Sequence, residues 1–149
     1  RDMDQTSRLL LVLGVITLAS ILGLIWRTTQ GRAKLLKSGL QVDLKELGAT
    51  KNGLPVTSFG ERITFLQFSS EFCATCKSTA RVFGELEEHS SDVLHIEVDI
   101  TNRLDLANKY NILQTPTTLV LDKRGVVQSR IGGAPKQNTL EEQLGTFVI

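Results

Sequence analysis

The chain has 149 residues and a formal net charge of +1, room for one domain with an appendage. Charge is uneven: residues 1–45 carry seven Lys/Arg against three acids, and residues 46–149 carry ten against thirteen. A nearly neutral domain behind a basic leader argues against nucleic acid as a partner, and two cysteines are too few for a disulfide scaffold.

Residues 1–8 form a short polar tail. Residues 9–26, LLLVLGVITLASILGLIW, are eighteen in a row without a charge, stopped by Arg27. At 1.5 Å each they span roughly 27 Å, close to the thickness of a bilayer's hydrocarbon core. Trp26 stands where an interfacial aromatic would. A transmembrane helix is therefore predicted ahead of two competitors. A cleaved signal peptide would have a shorter apolar region closed by a small-x-small site, and a buried core helix is not needed by the rest of the chain. No cysteine follows the segment, which excludes lipoprotein anchoring, and Gly14 and Gly23 lack the spacing of a helix-dimer motif. Arg1 and Arg8 precede the span, whereas Arg27, Arg32, Lys34 and Lys37 follow it. The positive-inside rule then predicts a cytosolic C-terminal domain, with the extracytoplasmic face as the alternative.

Residues 27–39 read as a basic juxtamembrane linker, in contact with the lipid surface. Residues 40–44 alternate apolar and polar, as an edge strand would. Residues 45–61, with Gly48, Asn52, Gly53, Pro55 and Gly60, predict a loop with a turn of helix. Residues 63–68, ITFLQF, are a buried strand by composition. After a polar break at Ser69, Ser70 and Glu71 come Cys73 and Cys76, followed by Thr79, Val82, Phe83 and Leu86 at helical spacing. The cysteines thus sit where a strand becomes a helix, with Cys73 at the helix N-terminus and Cys76 on the same face of the first turn. Unpaired N–H groups and the helix dipole favour a thiolate there.

Gly84 weakens that helix, and residues 89–92 end it. Residues 93–100 (VLHIEVDI) alternate as a strand, and residues 105–110 form a short helix capped by Thr101 or Asn102. Pro116 precedes a buried strand at 117–121; residues 122–125 turn, and residues 126–131 pair back as a hairpin. Gly132 and Gly133 break it before a last helix, capped by Asn138 or Thr139 and running through Leu144 and Phe147. The order predicts an α/β fold, a mixed sheet flanked by helices on both faces and preceded by one N-terminal transmembrane helix.

On these residues, 40–149 resemble a thioredoxin domain. The resemblance rests on the strand followed by CxxC, Lys77 after Cys76, the acid-ended strand at Asp99, Thr-Pro-Thr at 115–117, and the hairpin ending in Gly132. The whole arrangement looks like the membrane-tethered thioredoxin-family proteins of bacteria, which implies a single-pass protein of the bacterial cell membrane. It further implies a cis Pro116 packed beside the cysteines, Thr115 pairing with a client chain, and Gly132 lining the same groove. This chain departs from the family at Phe72, where Trp is usual, and at Ala74-Thr75, where Gly-Pro is usual. The family's buried acid and its lysine partner match Gln67 and His95. Gln67 takes up no proton at ordinary pH, and His95 is either a replacement proton carrier or a strand histidine bonded to Gln67.

The resemblance implies a thiol–disulfide oxidoreductase. Cys73 attacks a target disulfide and Cys76 resolves the mixed disulfide, with no cofactor beyond the pair. Its partners would be protein clients and an unidentified reductase or electron donor. Zinc binding lacks ligands, since His89 and His95 have no ligand spacing, so no metal is expected. The alternative is a non-catalytic redox sensor or assembly module at the membrane on the same fold.

Overall fold

The apolar segment is one unbroken helix, α1 (Gln5–Thr29), of 25 residues. It extends beyond the predicted 9–26 at both ends, and at its C-terminal end Thr28 and Thr29 turn their hydroxyls back onto the carbonyls of Ile25 and Trp26. Within the apolar stretch Thr17 does the same, its Oγ1 donating to Leu13 O at 2.8 Å. That bond satisfies the Thr17 donor within the helix, as lipid surroundings require. In this computed structural model residues 4–31, 33–35 and 39–146 are described. They fall into two units, residues 1–30 and 31–149. Arg1, Arg32, Lys37 and Phe147, which entered the charge count and the last predicted helix, lie outside the described residues.

In chain order the second unit comprises β1 (Ala33–Leu35), α2 (Leu44–Leu47), β2 (Thr50–Lys51), β3 (Leu54–Pro55) and β4 (Ile63–Ser69), then α3 (Ala74–His89) and β5 (Val93–Asp99). It continues with α4 (Leu104–Lys109), β6 (Thr117–Leu121), β7 (Val127–Gly132) and α5 (Gln137–Thr146). Five strands form one sheet in the order β1-β7-β6-β4-β5. β4 and β5 run parallel, and β4–β6, β6–β7 and β7–β1 are antiparallel. All seven residues of β4 are buried, as befits an inner strand covered on both faces. The predicted thioredoxin-like mixed sheet flanked by helices is the fold.

Each face of the sheet holds its own core. On one, Leu66 and Phe68 of β4 meet Ile96, Val98, Leu119 and Leu121, closed over by Leu47 of α2 and by Leu106 and Tyr110 at the end of α4. On the other, Ile63 and Phe65 meet Val93, Val120 and Ile131 beneath Phe83 of α3 and Leu140 of α5. Phe65 and Phe83 stack with ring centroids 4.7 Å apart. α3 runs through Gly84 without a break, because fifteen other residues supply the bonds and a buried stripe.

Several expectations need correction. Part of the predicted linker, β1, is an edge strand of the sheet, with Ala33 opposite Ile131. An edge strand is held by backbone bonds, so its basic composition hid it. Residues 40–44 are not a strand: a single bridge joins Gln41 to Val126, and Asp43 then caps α2 by accepting from Lys45 N. The loop at 45–61 contains a small hairpin, β2–β3, turned by Asn52 and Gly53 with φ of 54° and 79°. Thr101 does not cap α4; its N–H and hydroxyl both go to Asp99 Oδ1, and Arg103 stands at the cap without a side-chain bond. Asn138 and Thr139 lie inside α5, which starts at Gln137.

Candidate functional site

β4 delivers its last residue, Ser69, at the carboxyl edge of the sheet, and the chain turns through residues 70–72 into α3. The turn closes when Cys73 N donates to Ser70 O at 3.3 Å. Cys73 is the N-cap of α3, and its Sγ accepts from Cys76 N at 3.1 Å. That bond is the capping role usually taken by a Ser or Asp oxygen, and it favours negative charge on this sulfur. The two cysteines form a disulfide with Cα atoms 5.3 Å apart. Their surroundings differ: Cys73 is half-buried, whereas Cys76 is 2% exposed. One sulfur can be reached from outside and the other only from within the pair.

The Thr115–Pro116 bond is cis and Pro116 is buried. Ser70 and Thr115 hydroxyls lie 3.3 Å apart, which ties the cysteine turn to the proline loop. Gly133 N donates to Pro116 O at 2.8 Å, and Gly132 stands opposite Thr117 at the start of β6. A Cβ on Gly132 would come within 2.8 Å of the Gln114 side-chain amide, so the hairpin end passes close to this loop. The backbone of Thr115 makes no hydrogen bond among the described residues. Phe72 is 87% exposed, and Leu113, which the sequence reading did not single out, is 88% exposed. Phe72 directly precedes Cys73 and Leu113 precedes the proline loop, so each of these segments carries a bare apolar side chain.

Beneath the cysteines the sheet turns polar. Gln67 is fully buried, and its amide nitrogen donates to Cys76 O at 2.9 Å and to Ser69 Oγ at 3.0 Å. Its Oε1 lies 2.8 Å from His95 Nε2. Since that oxygen only accepts, His95 carries its proton on Nε2 and donates. Burial first, and the positive charge of Lys51 second, lower the His95 pKa from 6.5 to about 4, with Glu87 opposing. The ring is neutral at neutral pH. Its backbone is also held: His95 N donates to Glu87 Oε2 at 2.7 Å, and Lys51 Nζ donates to His95 O at 3.0 Å.

Gln67 and His95 are thus brought together, but diagonally. The residue opposite Gln67 in the parallel ladder is Glu97, whereas His95 stands opposite Phe65. Glu97 was not anticipated, nor was Ser69, whose hydroxyl donates to Glu97 Oε2 at 3.1 Å. Strand parity was the available signal, since 67 and 69, like 95 and 97, share a face. A cleft of about 360 Å³ beside the disulfide is lined by Ser69, Cys73, Cys76, Lys77, Glu97 and Asp99, among others. His89 lies apart on α3 with Nδ1 against Glu85 O, and no metal-ligating cluster is present among the described residues.

Comparison with known proteins agrees with this geometry. A family model described as Thioredoxin matches residues 55–146. The chain is 33% identical to a thioredoxin of Bacillus subtilis over 78 residues, 52% of this chain and 75% of that protein. It is 36% identical to thioredoxin C-2 of Corynebacterium nephridii over 77 residues, 51% and 71% of the two chains. The structure of reduced Schistosoma mansoni thioredoxin superposes with a TM-score of 0.50 at 27% identity, covering 60% of this chain and 82% of that one. Fasciola hepatica thioredoxin, at 22% identity and a TM-score of 0.51 over 60% and 84%, shares the fold. With more than half of the chain matched, on the segment that carries both cysteines and Pro116, the protein belongs to the thioredoxin family and is a thiol–disulfide oxidoreductase.

Proposed function

We propose that the protein is a membrane-tethered oxidoreductase that exchanges its Cys73–Cys76 dithiol/disulfide with protein clients through a mixed disulfide. The observation that carries this is the inequality of the two sulfurs. Cys73 is reachable and takes an N–H at the start of α3, while Cys76 is buried behind it. The Cys73 thiolate attacks a client disulfide, and one client sulfur leaves with the electron pair. Cys76 then attacks Cys73, releasing the second client thiolate and leaving the Cys73–Cys76 disulfide. The electrons pass between sulfurs, so no cofactor is needed beyond the pair. An unidentified reductase or donor regenerates the dithiol.

The client lies in extended form along residues 115–116, with Thr115 offering its backbone and Phe72 and Leu113 its apolar flanks. Residues 9–26 anchor the protein in the bilayer, and the basic residues after Trp26 favour a cytosolic domain, where thiols are kept reduced.

Cys76→Ser, expressed in the full chain, should accumulate covalent mixed disulfides through Cys73 that reductant dissolves. An absence of such adducts would reject the mechanism. Labelling of Cys73 by a membrane-impermeant thiol reagent, after mild reduction, tests the topology. Labelling only after lysis fits the cytosolic face; labelling in intact cells moves the domain outside; and a chain that is free of the membrane removes the tether.

A further inference from the structure

Resolution of the mixed disulfide asks for one thing that the sulfurs do not provide. Cys76 is buried, and its thiol must lose a proton before it can attack. The group directly beneath it, Gln67, takes up no proton. The imidazole behind Gln67 already carries its proton on the nitrogen facing that amide. Lys77 is a cation. What remains among the groups lining the cleft are the carboxylates of Glu71, Glu97 and Asp99.

These three are not equivalent. Asp99 Oδ1 accepts both the N–H of Thr101 at 2.8 Å and its hydroxyl at 2.5 Å, and these bonds lower its proton affinity. Glu71 sits in the turn ahead of Cys73, where its N–H is bonded to Thr101 Oγ1 and its side chain is exposed. Glu97 is exposed as well, but among the three it is the one tied to the groups beneath Cys76. It stands opposite Gln67 in the ladder and therefore on the cysteine side of the sheet, and Ser69 Oγ donates to its Oε2. Ser69 in turn accepts from the Gln67 amide that holds Cys76 O. One side chain thus fixes the backbone of the resolving cysteine and, through one hydroxyl, the carboxylate beside it.

We propose that Glu97 is the proton acceptor for Cys76 when the mixed disulfide is resolved. The inference rests on the mixed-disulfide reading above. As Cys76 Sγ bonds to Cys73 Sγ, the bond from Cys73 to the client sulfur breaks and the client leaves as a thiolate with the electron pair. The proton from Cys76 passes to the Glu97 carboxylate and from there to solvent at the open side of the cleft. In the opposite direction the protonated Glu97 returns a proton to Cys76 as it becomes the leaving thiol.

The test uses the reduced full chain in detergent and the chromogenic disulfide dithiobis(nitrobenzoate), which releases one coloured thiolate on attack by Cys73 and a second on resolution by Cys76. Glu97→Gln should leave the first phase unchanged and slow the second roughly 10-fold near neutral pH. That is less than the ~10²–10⁴ of a fully positioned base, because the cleft is open to water. The difference between the two proteins should shrink as pH rises, because hydroxide then removes the proton unaided. Electrostatics alone predicts the reverse sign, since removing a neighbouring negative charge eases thiolate formation and speeds the second phase. Ser69→Ala, which keeps the carboxylate and removes its tether, should slow the second phase by a smaller factor. A second phase that is unchanged or faster in Glu97→Gln, or a slowing that is equal in both phases or persists at high pH, overturns the proposal. If the wild-type chain releases no second thiolate at all, the mixed-disulfide reading itself falls, and this inference with it.

Discussion

Alternate residues of β4 live in two different worlds. Leu66 and Phe68 face α2 and α4 in a core that stays apolar along its length, through Ile96, Val98, Leu119 and Leu121. Ile63 and Phe65 face α3 and α5 in a second core, but two residues on the same face gives way to Gln67 and Ser69. β5 repeats the change, with Val93 at one end and His95, Glu97 and Asp99 at the other. The first face is there to hold the sheet. The second holds α3 at its far end and, under the helix N-terminus, exchanges packing for hydrogen bonds. A family member without a buried acid still places a polar, hydrogen-bonded floor below its resolving cysteine.

The apolar end should dominate stability. Phe65 is fully buried and stacked on Phe83, so Phe65→Ala removes a ring from between a helix and the sheet. A loss of about 3–5 kcal/mol is expected in denaturant unfolding, by transfer and cavity costs together. At the polar end, Ser69→Ala removes a hydroxyl that bonds to an exposed carboxylate and should cost about 1 kcal/mol. Equal losses at the two sites would break the division of labour.

A second expectation concerns acid. The folded-state pKa of His95, about 4, lies below its ordinary 6.5, so the unfolded chain takes up a proton that the folded chain refuses. Stability from this residue is complete above pH 6.5 and is lost as pH falls toward 4. The loss reaches about 2 kcal/mol by pH 5. Gln at this position keeps a donor for Gln67 Oε1 and removes the titration. His95→Gln should therefore unfold like the wild type at pH 7.5 and be more stable than it at pH 5, by that same ~2 kcal/mol. Parallel pH curves would mean that the ring is not held neutral.

How much of this was legible beforehand divides along similar lines. β4, α3, β5 and the β6–β7 hairpin announce themselves, because each carries an apolar period long enough to read. The cysteine pair was placed by the change of period between strand and helix. β1 was missed because three edge residues need only backbone partners, and β2–β3 because two-residue strands carry no period, although Asn52-Gly53 is a hairpin turn in plain view. At the site, Gln67 and His95 could be named from the family resemblance, but Glu97 required the register. A parallel ladder aligns residues thirty positions apart, and nothing local in either strand states which pair will face each other.

The smallest expected effect probes the outer edge of the polar end. Among the described residues β5 has a neighbouring strand on one side only, and at His95 the place of a second neighbour is taken by two side chains. Glu87 accepts from His95 N, Lys51 donates to His95 O, and the two are joined at 2.8 Å. Their charges act on the imidazole with opposite sign: Lys51 lowers its pKa and Glu87 raises it. Lys51→Met should accordingly move the His95 titration, followed through its ring proton by NMR, to higher pH, and Glu87→Gln should move it to lower pH. Both shifts should be smaller than the one due to burial, which is the leading cause. If both variants instead raise the pKa, the pair acts mainly by keeping water from the edge of β5, since opening that edge relieves burial whichever charge is removed.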